Sequence, residues 1–233
     1  MMRIALALLF CLLAGTATAG PWPRAPGGVF ASLSREIRSG DDWDALYVEY
    51  GWNERMTFVL DAGRSQNGGW IAILSTRIPL WTLGRHHFAV SVGGGKEHVV
   101  YPGLSDDIDP NALLHYGMTP GDYMLMQYGA SWGMGFDSRF GSGWATLDGT
   151  LRKSSIGNRE ERKLDATLGV NLSDSNTLFS QAQYSWTKYS EGQLRLGLGW
   201  VRHFGPLAIE AGIGKRLRLD RETDAKIGLW LTF

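Results

Sequence analysis

Cysteine is almost missing from this chain, and so are long apolar runs and any excess of charge of one sign. The single cysteine among 233 residues, Cys11, falls in an N-terminal stretch that reads as an export leader. Arg3 supplies its positive charge, Ile4 to Ala14 its apolar run, and Ala17-Thr18-Ala19 the small-x-small spacing of a signal-peptidase site. Residues 1–19 are therefore expected to be removed, leaving 20–233 with no disulfide, no thiolate nucleophile and no cysteine metal ligand. The apolar run is too short for an anchor, since a spanning helix needs about 20 residues.

Without Arg3 the remainder carries 22 basic and 23 acidic residues. No global field exists to draw in a polyanion, so nucleic acid is not expected as a partner. Beyond the leader no apolar stretch approaches the length of a membrane helix, and no long window keeps apolar residues at i, i+3, i+4 and i+7. Helical membrane proteins are excluded. An exported chain of this size without disulfides must be held by a large core or by a closed sheet.

What is abundant is glycine, at 31 residues, and tryptophan, at 10, set in segments of alternating polarity. The clearest places Leu164, Ala166, Leu168, Val170 and Leu172 against Lys163, Asp165, Thr167, Gly169 and Asn171. Period two puts these sets on opposite faces of a strand, one lipid-like and one water-like. Similar alternation recurs around 46–52, 56–62, 88–92, 145–151, 178–186, 194–200, 207–213 and 225–233, with weaker segments near 27–38, 69–78 and 122–136. Together they predict an all-β, antiparallel, up-and-down transmembrane barrel of about 12 strands, with 10–14 admissible.

The connections alternate in length, as such barrels require. With both ends of the barrel domain, 20–233, on the periplasmic side, inner turns fall at Asn53-Glu54, Pro79–Arg85, Asp137–Gly143, Ser173–Asn176 and His203–Pro206. The longest outer loops are then Glu97–Gly121 and Lys153–Arg162. Trp52, Trp132 and Trp200 come to the inner ends of strands and Trp70 and Trp186 to the outer ends, all on the apolar face, where interfacial aromatics belong.

The chain ends Ala225-Lys226-Ile227-Gly228-Leu229-Trp230-Leu231-Thr232-Phe233. This resembles the C-terminal signature of bacterial outer-membrane β-barrel proteins. The resemblance implies that Phe233 is the assembly signal read by the barrel-assembly machinery, and that the protein resides in the outer membrane among its lipids and lipopolysaccharide. At this size it is similar to small barrels that include narrow oligosaccharide channels, outer-membrane phospholipases and lipid A-modifying hydrolases. Such likeness concerns fold and does not choose among activities.

The two hydrolase classes carry a His-x-Ser pair, which period two places on one face within hydrogen-bond reach. Here the residues two places after His86, His87, His98, His115 and His203 are Phe88, Ala89, Val100, Gly117 and Gly205. The pair is absent. A looser site for a lipid or lipopolysaccharide hydrolase lies in the outer loop Glu97–Gly121, where His98 and His115 flank Ser105, Asp106, Asp107 and Asp109. Carboxylates there could hold a divalent cation, but a solvated loop turning at Asp109-Pro110 accounts for the same residues and is preferred. No catalytic residue, metal site or cofactor is assigned.

If the apolar sets face lipid, the lumen is lined by Glu49, Arg55, Asp61, Arg77, Asp148, Arg152, Asp165, Arg195, Glu210, Arg216 and Lys226, with Gln127, Gln181, Gln183 and many glycines. Both signs are present, so strong anion selectivity is not expected, and buried members must be paired or hydrated. The glycines either open space or let long and aromatic side chains fill it. The leading expectation is a narrow polar channel for small hydrophilic solutes, or a structural barrel of the envelope. The alternatives are the hydrolase and an accessory barrel for export of an envelope polymer.

Overall fold

A computed structural model describes residues 20–100, 120–155, 159–187, 190–218 and 222–233. Twelve antiparallel strands follow one another around a closed barrel. They are β1 (Val29–Ile37), β2 (Trp43–Asn53), β3 (Met56–Ser65), β4 (Trp70–Leu83), β5 (His86–Val99), β6 (Gly121–Ser138), β7 (Gly141–Ser154), β8 (Glu160–Ser173), β9 (Asn176–Thr187), β10 (Ser190–Phe204), β11 (Leu207–Arg216) and β12 (Thr223–Thr232). Every strand pairs with its sequence neighbours, and β1 closes on β12 from Phe30 opposite Thr232 to Ile37 opposite Ala225. Beyond that ladder, the Val29 amide donates to the Phe233 carbonyl at 2.6 Å and the Phe233 amide to the Val29 carbonyl at 3.0 Å. Closure leaves no unpaired edge, which hydrocarbon would not tolerate.

The alternation reads out as expected. Leu33, Leu74, Val92, Leu168, Leu198, Ile213 and Ile227 are exposed on the outside, while Glu49, Thr57, Ser75, Thr146 and Glu210 are buried within. Five inner connections are two-residue turns, at 54–55, 84–85, 139–140, 174–175 and 205–206. Four predicted turns were therefore too long, Ser173–Asn176 and His203–Pro206 by two residues each and the other two by five. At Pro79–Arg85, β4 continues to Leu83 because a register shift between Pro79 and Trp81 absorbs the proline, which cannot donate to a ladder. At Asp137–Gly143, the Ser138 hydroxyl donates to the Gly141 carbonyl at 2.9 Å and accepts from the Phe140 amide at 3.2 Å, closing a tight turn. The predicted outer loop Glu97–Gly121 also shrinks, because Glu97 and His98 are ladder residues of β5, opposite Tyr123 and Asp122. Likewise, Lys153 and residues 160–162 of the predicted loop Lys153–Arg162 belong to β7 and β8.

Candidate functional site: the barrel lumen

Residues 20–28 precede β1 and do not trail away from the barrel. They fold back into its inner end. Pro21 is fully buried, and Trp22 packs on a lumenal core of Trp144, Phe179, Val201 and Ala208, as does Trp230. Trp22 also stands 5.4 Å from the ring of His87. The wall is shaped to this segment. A Cβ at Gly133 would stand 2.7 Å from Trp22 and 2.8 Å from Pro21, and one at Gly51 would collide with the carbonyl oxygen of Ala25.

Arg24 fastens the segment. Its Nε lies 2.5 Å from Oε2 of Glu49 and its amide donates to the Thr57 hydroxyl at 3.1 Å. Glu49 is completely buried and also accepts from Arg77 at 2.7 Å and from the Tyr47 hydroxyl at 2.6 Å. Arg77 in turn donates to Tyr47 at 3.0 Å. A buried carboxylate so provided for meets the condition under which a buried charge is tolerated.

A second device dries the inner half. Trp144 and Phe179 alternate with glycines across the ladder: Gly135 faces Trp144, Trp144 faces Gly169, Gly169 faces Phe179, and Phe179 faces Gly199. Cβ atoms at Gly169 and Gly199 would collide with the Trp144 and Phe179 rings. Of the two roles open to lumenal glycine, these residues take filling by aromatics. Beside them, buried Glu210 receives Lys226 Nζ at 2.9 Å and Trp230 Nε1 at 2.9 Å. A cavity of about 10 Å³ between Phe179, Arg195, Glu210 and Lys226 has room for a single water at most.

The outer half is different. Arg195 binds Asp224, with Nε to Oδ1 at 3.0 Å, and donates to Gln183 at 3.0 Å, with Glu36 3.8 Å away. Arg152 donates to Glu161 at 3.2 Å and to Gln127 at 3.1 Å, and Lys163 Nζ lies 2.8 Å from Asp165. Arg216 donates to Glu222 at 3.1 Å. Of these, Arg152 at 21 %, Glu161 at 28 %, Asp165 at 24 % and Lys163 at 39 % stay accessible, whereas Arg195 at 13 % and Asp224 at 3 % are largely buried. Exposure in the lumen is thus greatest around β7 and β8 and least at Glu49 and Glu210.

Of the residues assigned to the lumen from sequence, Glu49 and Arg77 meet in the inner cluster, and Glu210 and Lys226 meet in the next. Arg152, Asp165, Arg195 and Arg216 join separate outer pairs. Asp148 is held by Ser131 and Thr146, and Asp61 lies on the inward face of β3. Arg55 belongs elsewhere, in the exposed 54–55 turn, because the two-residue connection takes it out of the strand. Arg24, Tyr47, Glu36, Glu161, Asp224 and Trp230 complete the clusters and were not anticipated. Of the looser loop candidates, His115, Ser105, Asp106, Asp107 and Asp109 lie outside the described residues. His98 is on the lipid-facing side of β5, stacked on Trp70 and bonded to Asp122 at 2.6 Å.

No protein-family model and no curated protein matches this chain. Solved structures do. A KdgM porin in complex with disordered oligogalacturonate superposes with a TM-score of 0.61 at 8 % identity, over 88 % of this chain and 99 % of that one. A NanC porin superposes with a TM-score of 0.55 at 9 % identity over 87 % and 98 %. The COG4313 outer membrane channel from Pseudomonas putida F1 gives 0.58 at 9 % identity over 93 % and 100 %. At such identities the likeness is one of fold, and that fold is the bacterial outer-membrane β-barrel.

Proposed function

We propose that the protein is a narrow outer-membrane channel for small hydrophilic solutes, closed at its periplasmic end by its own residues 20–28. One observation carries this reading: inside a closed barrel the Arg152–Glu161 and Lys163–Asp165 side chains toward the outer end remain partly exposed, while residues 20–28 pack into the inner end around fully buried Glu49. Because most lumenal cations face a carboxylate, the solute that suits this lining is uncharged or carries both signs. The channel folds of three solved neighbours support the reading at the level of architecture.

Planar-bilayer recording of the refolded chain and of a variant starting at Val29 tests it. The whole chain is expected to give infrequent discrete steps, and the shortened variant larger or more frequent ones. Silence from both, with each migrating as a folded, heat-modifiable barrel, overturns the channel.

A further inference from the structure

The outer surface of a barrel is ordinarily convex, yet here the lipid-facing side of β11, β12 and β1–β4 holds a groove of about 880 Å³. That is the size of pockets that take drug-sized ligands, about 300–1,000 Å³. Its floor follows one cross-strand row: Ile209 faces Leu229, Leu229 faces Leu33, Leu33 faces Leu46, Leu46 faces Ala62, and Ala62 faces Ala72. The row is bulky at one end and falls to two alanines at the other. The next residue in register beyond Ala72 is Lys96, exposed and on the same face.

One row toward the outer rim the chemistry changes. Ile227 faces Arg35, Arg35 faces Asp44, Asp44 faces Arg64, and Arg64 faces Trp70, all on the lipid side. Arg35 is engaged by Asp42 at 3.1 Å and by Asp44 at 3.8 Å. Arg64 is held only loosely, 3.4 Å from Asp44, with its side chain 74 % exposed. Arg64 and Lys96 flank β4, two strand spacings across and one row along, roughly 12 Å apart. The groove thus has an apolar body, an aromatic at its edge in Trp70, one exposed cation in its lining, Arg64, and a second, Lys96, just beyond Ala72.

We propose that this groove binds a phosphorylated glycolipid of the outer leaflet, of the lipid A kind, with acyl chains along the Ile209-to-Ala72 row and a phosphate between Arg64 and Lys96. Amphiphile and groove match in polarity from end to end, and the cations lie on outer strand segments, where that leaflet has its headgroups. A second copy of the chain fits poorly. A two-fold dimer sets the patch against itself, and two concave faces enclose a void that forfeits dispersion contacts.

Native mass spectrometry of the full barrel, released from detergent after incubation with bis-phosphorylated lipid A or with phosphatidylglycerol, tests the assignment. Lipid A is expected to be retained about fivefold more than phosphatidylglycerol, because it brings one phosphate more and one phosphate–cation contact at the membrane surface is worth about 1 kcal/mol. Filling the floor with Ala62→Phe plus Ala72→Phe, or reversing charge with Arg64→Glu plus Lys96→Glu, is expected to remove that preference. Both variant pairs lie on the lipid side and leave the lumen lining intact, and heat-modifiable migration verifies that they fold. Equal retention of the two lipids, or an unchanged preference in both folded variants, overturns the site and leaves only annular lipid.

Discussion

Replacing Glu49 by Gln gives the sharpest test of how residues 20–28 are held. Glu49 is buried to the last percent and balances two guanidiniums, Arg24 at 2.5 Å and Arg77 at 2.7 Å. Neutralising it leaves both cations facing an amide in a dry site, and breaking a buried pair in this way costs about 3–5 kcal/mol. Arg24→Met is milder, because Glu49 keeps Arg77 and Tyr47. It forfeits the charge-assisted bond to Glu49, about 1.5–3 kcal/mol, together with the guanidinium's stacking on Phe30. The double variant removes one cation with one anion, so its cost is expected to fall short of the sum of the singles by about 1 kcal/mol or more. Urea unfolding in lipid vesicles, followed by tryptophan fluorescence, measures all three. Additivity within about 0.5 kcal/mol, or a costlier Arg24→Met than Glu49→Gln, refutes the shared network.

Gly51→Val places side-chain atoms where the Ala25 carbonyl lies; residues 20–28 are expected to leave the lumen, becoming sensitive to added protease while the strands stay protected. Gly169→Leu drives a side chain into the Trp144 ring and is expected to cost about 1–3 kcal/mol by overpacking, read in the same urea assay. Deleting Phe233 removes two backbone bonds at the closing seam and the terminal aromatic. The yield of heat-modifiable protein in outer-membrane fractions is expected to drop, and an undiminished yield argues against an assembly role for this residue.

Strand number and facing were legible because a period of two is enforced by surroundings of opposite polarity on the two sides of the wall. Leu164 to Leu172 needed no tertiary information to be placed. Boundaries were less so, since Pro79 suggested a strand end and the bulge that accommodates it depends on pairing with Ala89 and Phe88. The N-terminal segment was missed for a related reason. Pro21, Pro23 and Pro26 exclude a strand, and that exclusion gives no destination; the pointer was Trp22 beside Arg24, an aromatic and a cation in a segment with no periodicity to explain them. The tryptophans divide in the same way. Trp52, Trp70, Trp132, Trp186 and Trp200 followed from interfacial preference, but Trp144 and Trp230 are lumenal, and their meaning came from small residues on neighbouring strands that only register brings opposite, Gly135 and Gly169 for Trp144 and Ser32 and Ala208 for Trp230.

The imprint of residues 20–28 on the wall bears on how such a channel would conduct. Gly51 and Gly133 have no side chain where the segment passes, so its departure leaves space that the strands do not fill. On the proposed channel reading, opening is a two-state event whose cost is set largely by the Arg24 tie and by burial of Trp22. A minor state a few kcal/mol above the closed one is populated at about 0.1–10 %, which means rare openings in the unmodified channel. If Arg24→Met removes about 2 kcal/mol of that tie, the open fraction rises roughly thirtyfold, at 1.4 kcal/mol per factor of ten. Open probability in single-channel records should therefore track the stability lost in urea. A loss of about 2 kcal/mol with no change in open probability would assign the Arg24–Glu49 pair to the wall alone and remove it from the gate.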